Sequence, residues 1–310
     1  MISVVMPAYN ASRFIAEAIE SILNQTYRDI ELIVVDDGST DNTVEIIKRY
    51  VDQDERVQLI QNNHGGANKA RNTGIERAKY PWIGCMDADD VAHPERFEKQ
   101  FQAAEKDPDV IIWGTYIYQI NIEGKKLGTI ENGPTSREAF NAIDRTKSPI
   151  QITQPTAIFK REVALKAGAY DERVKGGQEI ELWDRMAQYG PAQVIPEYLL
   201  NYRLHDQSIS SKRFFDQMIV YNYILERNKY RQRGETLDLE MYQKQFRAKP
   251  IWTRFFRYTL FRGQFQYRNA GVLLSEKKYP QAITSLLVAS ILAPCFTIKR
   301  ILDRVQRHFK

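Results

Sequence analysis

The run Trp82-Ile83-Gly84-Cys85-Met86-Asp87-Ala88-Asp89-Asp90 delivers three carboxylates within four positions at the end of an apolar stretch. Gathering like charge there is costly unless a cation sits among the carboxylates. In an extended segment Asp87 and Asp89 point to one side. Two hard oxygen ligands at one point suit Mg²⁺ or Mn²⁺ rather than Zn²⁺. The chemistry implied is a divalent metal carrying a diphosphate. Three other stretches hold polar groups in compact order: Pro7-Ala8-Tyr9-Asn10, Asp36-Asp37-Gly38-Ser39, and Asn63-His64-Gly65-Gly66-Ala67-Asn68-Lys69-Ala70-Arg71-Asn72.

These clusters need strands to place them. Ile2 to Met6 and Ile30 to Val35 are β-rich, and the second reads as a strand buried on both faces. Between them Phe14, Ile15, Ala18, Ile19, Ile22 and Leu23 recur at helical spacing, with Ser12 ahead as the N-cap. A second helix follows Ser39-Thr40-Asp41, a third runs from about Ala67 to Ala78, and a strand then ends at Asp87. This alternation predicts right-handed crossovers and an α/β fold with a mostly parallel sheet flanked by helices. In such sheets ligands bind outside the carboxyl ends of the strands, where the Pro7, Asp36 and Asp87 clusters fall.

The chain has 310 residues, 43% of them hydrophobic, enough for the core of one large domain and an appendage. Its charge is uneven. Residues 213–310 hold 19 Lys/Arg and 7 Asp/Glu, whereas residues 1–212 hold 25 and 32. An acidic front and a basic tail predict a metal-dependent domain over 1–211. A basic α-helical region over 212–310 follows it and meets a polyanion or an anionic membrane. Cys85 inside a predicted strand and Cys295 near the C-terminus argue against a structural disulfide and for a reducing compartment. The N-terminus opens on strand residues without a basic or cleavable apolar leader. The expected location is the cytoplasm, with a peripheral seat on the inner face of the plasma membrane.

The Pro-x-Tyr-Asn strand end, the Asp-Asp-Gly-Ser turn, the Gly-Gly…Ala-Arg-Asn helix start and the Asp-x-Asp-Asp cluster after an apolar strand together resemble the family 2 glycosyltransferases. Those are inverting enzymes of the GT-A fold that use nucleotide-activated sugars. The likeness covers residues 1–211: about 1–110 would bind the nucleotide sugar and about 111–211 would form the acceptor side. It implies a GT-A type, Rossmann-like sheet followed by a C-terminal helical extension. It also implies that Pro7, Tyr9 and Asp37 meet the nucleotide, that Asp89 ligates the metal directly, and that Asp87 lies near the sugar or ribose. On the residues themselves, Gly65 and Gly66 would let the backbone approach a ligand, and Arg71 would reach a phosphate. Structural uses compete at each place: Asp36 and Asp37 capping the turn at Gly38, Arg71 as a solvated charge, and Asp90 capping a helix that starts around His93-Pro94-Glu95.

On the acceptor side Gln154 to Arg161 reads as a strand leading into a short helix, and Gly168 to Glu172 as a turn. Gly177-Gln178-Glu179-Ile180-Glu181-Leu182-Trp183 is similar to the family segment in which a Glu-Asp pair precedes an aromatic-bearing helix. Gln178 stands where the family usually has Glu, and Glu179 where it usually has Asp, the general base. A carboxylate one methylene longer still abstracts a proton. Glu181 is a second candidate, and an exposed carboxylate at a helix N-terminus is the plain alternative. Tyr202 to Ser210 resembles a segment closing the donor site. There His205 would join Asp89 and Asp87 around the metal, or be simply hydrogen-bonded, and Arg203 would offset leaving-group charge.

The expectation is inverting transfer from a nucleotide sugar, UDP-sugars favoured, to a hydroxyl of a glycan or lipid-linked acceptor in surface polysaccharide synthesis, with Mn²⁺ or Mg²⁺ as cofactor. A non-catalytic nucleotide-sugar-binding module is one rival class. The other, a sugar nucleotidyltransferase, would need a Gly-rich basic loop that Pro7 to Arg13 does not supply. In the tail, Ile251 to Tyr258 interleaves aromatics with arginines, and 270–293 patterns as a helical hairpin broken at Tyr279-Pro280. Ala282 to Ala293 is too short to span a bilayer. Ile298, Ile301, Leu302, Val305 and Phe309 share one helical face ringed by Lys299, Arg300, Arg304, Arg307 and Lys310. Such a helix lies on an anionic membrane or packs on the catalytic domain. Nucleic acid is not an expected partner, because the front half is acidic.

Overall fold

The computed structural model describes residues 1–205, 213–248, 250–275 and 278–298. The chain opens with β1 (Ile2–Ala8), α1 (Ile15–Leu23), β2 (Ile30–Asp36), α2 (Thr43–Gln53), β3 (Val57–Gln61), α3 (Ala67–Arg77) and β4 (Trp82–Cys85). It continues with β5 (Val91–Ala92), α4 (Arg96–Lys106), β6 (Ile112–Ile120), β7 (Lys126–Ile130), α5 (Arg137–Asn141), a 3-10 turn at Gln154–Thr156, β8 (Ile158–Lys160), α6 (Arg161–Lys166), α7 (Gln178–Met186) and β9 (Ala192–Arg203). Helices α8 (Phe214–Gln232), α9 (Leu239–Ala248), α10 (Ile251–Ser275) and α11 (Tyr279–Leu292) follow.

Nine strands form one sheet in the order β3-β2-β1-β4-β8-β6-β9-β5, with β7 added on β6. The front of the sheet is parallel throughout, β3 to β2, β2 to β1 and β1 to β4. Beyond β4 the pairing is mixed, because β8 enters antiparallel to both β4 and β6 while β6 and β9 run parallel. The expected parallel sheet therefore describes the half built by short helix crossovers. The other half receives strands from long, irregular connections that permit either direction. Each face carries its own core. Val4 and Met6 of β1 and Leu32 and Val34 of β2 pack with α1, α2 and α4, while Val5, Ile33 and Val35 pack with α3, α6 and α7. β2 is buried along its whole length, so its near-continuous apolar run is what a strand covered on both faces requires.

Local details differ from the sequence-based expectation. α1 begins after a turn at Ala11, where the backbone N–H groups of Phe14 and Ile15 both reach the Ala11 carbonyl. Ser12 does not cap it; its backbone N–H donates to Asp41 Oδ2 instead. β4 stops at Cys85, two residues before Asp87, and 87–90 form a turn.

The chain divides into two compact units, Met1–Asn228 and Lys229–Lys310. α8 closes the first unit, where Arg227 reaches Glu181 and Asp184 of α7 at 2.5 and 2.8 Å. In the second unit α10 and α11 are the two helices of the expected hairpin, but Tyr279 and Pro280, expected at the break, lie in the first turn of α11. Residues 299–310, which hold most of the expected basic amphipathic helix, lie outside the described residues, as do 206–212. Among the described residues no helix is long and apolar enough to cross a membrane.

Candidate active site

The polar clusters meet at the carboxyl edge of β1, β2 and β4, as the α/β topology demands. The turn after β1 and the turn after β2 are laced together. Asn10 N–H donates to Ser39 Oγ at 3.0 Å, Thr40 N–H to Asn10 Oδ1 at 2.8 Å, and Ala11 N–H to Thr43 Oγ1 at 2.8 Å. Asp36 accepts from the N–H groups of Gly38 and Ser39, so it holds the β2 turn. Asp37, buried, does something else. Its two carboxylate oxygens accept the N–H groups of Gly65 and Gly66 at 2.9 and 2.8 Å, and His64 Nδ1 lies 3.0 Å from Oδ2. That pins the loop entering α3 to the end of β2. Tyr9 stands at the rim, with its ring 4.4 Å from that of His64. Pro7 lies in β1 opposite Val35.

α3 lies unusually close on β1. A Cβ at Gly74 would come within 2.3 Å of Val5 Cγ1, so only glycine permits this approach. The closeness carries Arg71 over the end of β4, where it is buried and donates from Nη2 to Asp87 Oδ1 at 2.9 Å; Nη1 has no hydrogen-bond partner among the described residues. Arg71 is thus a buried, paired charge at the strand ends and not a solvated one. α3 also sets the loop before α7. Asn68 donates to the carbonyls of Asp171 and Val174, and Asn72 exchanges bonds with the Tyr170 backbone. Through that loop Glu179, in the first turn of α7, comes within the electrostatic reach of Arg71 and Asp87. Burial raises the Glu179 carboxyl above the usual glutamate range, against the pull of Arg71. A half-buried carboxylate with a raised proton affinity suits a general base. Glu181, the second candidate for that role, is bound by Arg185 at 2.6 Å and Arg227 at 2.5 Å. It braces α7 against α8 and is not presented to a substrate.

The three carboxylates after β4 diverge. Because 87–90 turn and do not extend, Asp87 and Asp89 do not share a strand face: Asp87 faces Arg71, and Asp89 Oδ2 lies 2.7 Å from His205 Nε2. Asp90 is buried and accepts the Arg203 N–H at 2.8 Å; it does not cap α4, whose N-cap is Glu95. Burial, followed by the negative charge of Asp89 and Asp87, pushes Asp90 well above the carboxylate range. Its Oδ2 is buried and has no hydrogen-bond partner among the described residues. Arg203 is also buried, and its donors are taken by protein: Nε by the Asp89 carbonyl at 2.8 Å, Nη2 by Glu17 at 2.6 Å, and Nη1 by the carbonyls of Asn121 and Ile122. It straps β9 to the Asp89 turn, so its guanidinium is engaged by the protein and not presented to a leaving group as expected. Glu17 and Phe14, which packs on both Arg203 and His205, carry no sequence signal for this site. Cys85, beneath it, is no nucleophile: burial pushes its thiol up to about 11.

Among the described residues no group of three or more His, Cys, Asp or Glu side chains gathers as a metal site. The pair that does meet, Asp89 and His205, combines a hard oxygen with an imidazole and remains partly open to solvent. Mg²⁺ and Mn²⁺ are commonly held by one or two carboxylates with substrate phosphates filling the shell. The residues present fit such a group.

A parallel half-sheet, an Asp-x-Asp turn after its fourth strand and a mixed half-sheet with a base candidate on α7 are the features of a GT-A glycosyltransferase fold. Residues 3–166 match the family model described as Glycosyl transferase family 2, and the chain belongs to that family. It is 31% identical over 230 residues to the uncharacterized glycosyltransferase MJ1057 of Methanocaldococcus jannaschii, covering 73% of this chain and 78% of that protein. It is 47% identical over 120 residues to the glycosyltransferase GlyG of Streptococcus pneumoniae serotype 4, covering 38% of this chain and 40% of that protein's length. The fold is similar to that of S. aureus TarS 1-349 in complex with UDP-GlcNAc, with a TM-score of 0.60, 16% identity, and 94% and 91% of the two chains covered.

Proposed function

We propose that the protein transfers a sugar from a nucleotide-sugar donor, a UDP-sugar by preference, to a hydroxyl of a glycan or lipid-linked acceptor in surface polysaccharide synthesis, with inversion at the anomeric carbon. The observation that carries this is the set of groups gathered at the strand ends: Arg71 with Asp87 on one side, Asp89 with His205 on the other, and Glu179 within electrostatic reach of Arg71. UDP-GlcNAc in the structurally similar TarS supports the donor class.

In this mechanism Asp89 and His205 would hold Mn²⁺ or Mg²⁺, which would supply charge neutralisation to a diphosphate leaving group. Arg71, with an unused guanidinium nitrogen, adds a fixed positive charge beside it. Tyr9 and Pro7 border the nucleotide, and Asp37 holds the Gly65-Gly66 loop against it. Glu179 takes the proton from the acceptor hydroxyl as it attacks the face of the sugar opposite the leaving group. The basic tail after residue 298 brings the enzyme to the inner, anionic face of the plasma membrane, where a lipid-linked acceptor is met.

The test is a screen of the purified chain against UDP-, GDP- and dTDP-sugars with Mn²⁺ or Mg²⁺, reading thermal stabilisation and slow release of nucleoside diphosphate. Stabilisation and release by one donor supports the proposal and names the donor class. No metal-dependent stabilisation by any nucleotide sugar ends it.

A further inference from the structure

α11 is arranged inside out for a helix facing water. Its 14 residues include no Asp, Glu, Lys or Arg. What it buries is small, Ala282, Ser285 and Ala289, with Ala293 just beyond, while Tyr279, Ile283, Leu287 and Ile291 are 55, 56, 61 and 77% exposed. α10 meets it through equally small groups: a Cβ on Gly263 would lie 2.6 Å from Ala293 Cβ. Helices of water-soluble domains turn large apolar side chains inward and charges outward. Small residues between helices with aliphatics outside is the packing used in lipid. The four large side chains recur every fourth residue and form one slanted stripe about 18 Å long, a continuous apolar surface of the kind that marks an interaction site.

We propose that this face of α11 seats the protein on an anionic lipid surface, its large side chains lying at the boundary of headgroups and acyl chains. Charge decides for lipid. Residues 229–310 hold 17 Lys/Arg and 5 Asp/Glu, and the stripe is bracketed in sequence by Lys277-Lys278 and Lys299-Arg300. A second copy of this chain would set that positive unit against itself. An anionic bilayer offers an apolar layer and the opposite charge together. With about 21 Å of length against a hydrocarbon core of about 30 Å, α11 lies in the plane of the membrane and does not cross it. Exposed Ile251 and Trp252 at the start of α10 suit the same boundary. The inference rests on the membrane setting of the proposed function, and it assigns the contact to a different element from the 298–309 segment.

Co-sedimentation of the full chain with phosphatidylcholine vesicles, with and without phosphatidylglycerol, at low and high salt, tests it. The expected result is salt-sensitive binding to the anionic vesicles only. Ile283→Glu with Leu287→Glu lowers the bound fraction about tenfold or more while the thermal midpoint and nucleotide-sugar hydrolysis stay at parent values, since both side chains face outward. A second variant, Lys299→Glu with Arg300→Glu, Arg304→Glu and Arg307→Glu, alters only the tail. If the Ile283/Leu287 variant binds like the parent and the tail variant does not, the α11 face is wrong and the tail alone is the contact. A parent that ignores vesicles and is a dimer dissolved by the Ile283/Leu287 changes also overturns the proposal, making the face a self-interface. Hydrolysis measured on the same samples reports separately on the transfer reading.

Discussion

The turns after β1 and β2 and the turn after β4 are both rich in carboxylates, yet the molecule uses them in opposite ways. In the first region Asp36, Asp37 and Asp41 give their oxygens to backbone N–H groups of neighbouring turns. In the second region Asp87 and Asp89 are partly exposed and pair with Arg71 and His205, and Glu179, within electrostatic reach of Arg71 and Asp87, shows no side-chain partner among the described residues. Carboxylates in the first region hold backbone in place, and carboxylates in the second remain available to a ligand. Burial with full hydrogen bonding, not residue type, separates scaffold from chemistry here.

That contrast can be broken by substitution. Asp89→Ala should cost the most, lowering metal-dependent nucleotide release on the order of 10³-fold while circular dichroism and the thermal midpoint stay near the parent. A variant that unfolds instead would place Asp89 with the scaffold. Glu179→Gln should lower turnover about 10²-fold with donor-induced thermal stabilisation unchanged. Because burial raises the Glu179 carboxyl above the ordinary glutamate value of about 4.3, and a base works only when deprotonated, the parent rate should fall as pH drops through a value above that range. The Gln variant should lose that limb, and a parent profile flat to pH 4 would remove Glu179 as the base.

Arg227→Met tests the brace behind α7. It leaves Glu181 and Asp184 buried with fewer counter-charges and should cost about 3 kcal/mol, a fall in Tm of roughly 6–12 °C by calorimetry. No measurable fall would mean that the network is too hydrated to matter. Asp37→Asn is expected to be the mildest. The amide keeps one acceptor for the Gly65-Gly66 loop and loses the other, about 1–2 kcal/mol in denaturant unfolding, with the donor KM rising more than kcat falls. A collapse of kcat with unchanged stability would move Asp37 into the chemical region.

The parallel half of the sheet was legible because each of its strands is an apolar run followed by a helix of period 3.6, a local pattern. The mixed half was not, since the direction in which β8 and β9 join depends on pairing partners far away in sequence. The candidate site divides in the same way. Asp89, Arg71 and Glu179 stood out by type and position. The use of Arg203 as a strap to Glu17, of Asp37 as a loop anchor and of Glu181 as a brace depends on contacts across more than 25 residues of sequence for Asp37 and Arg203 and on α8 for Glu181. Expecting Asp87 and Asp89 on one face failed because β4 ends two residues early, where turn and strand compete too evenly for local pattern to decide.

By itself the amino-acid sequence determined the alternation of strands and helices, the family, and the polar clusters that lie at the strand ends. These follow from periodicity and from residue types that few other sites tolerate. Only the tertiary structure decided which charged groups are consumed by the protein and which are left for a ligand. A carboxylate's availability is set by the donors that folding brings to it and by the water that folding removes, and neither is written in its neighbours along the chain.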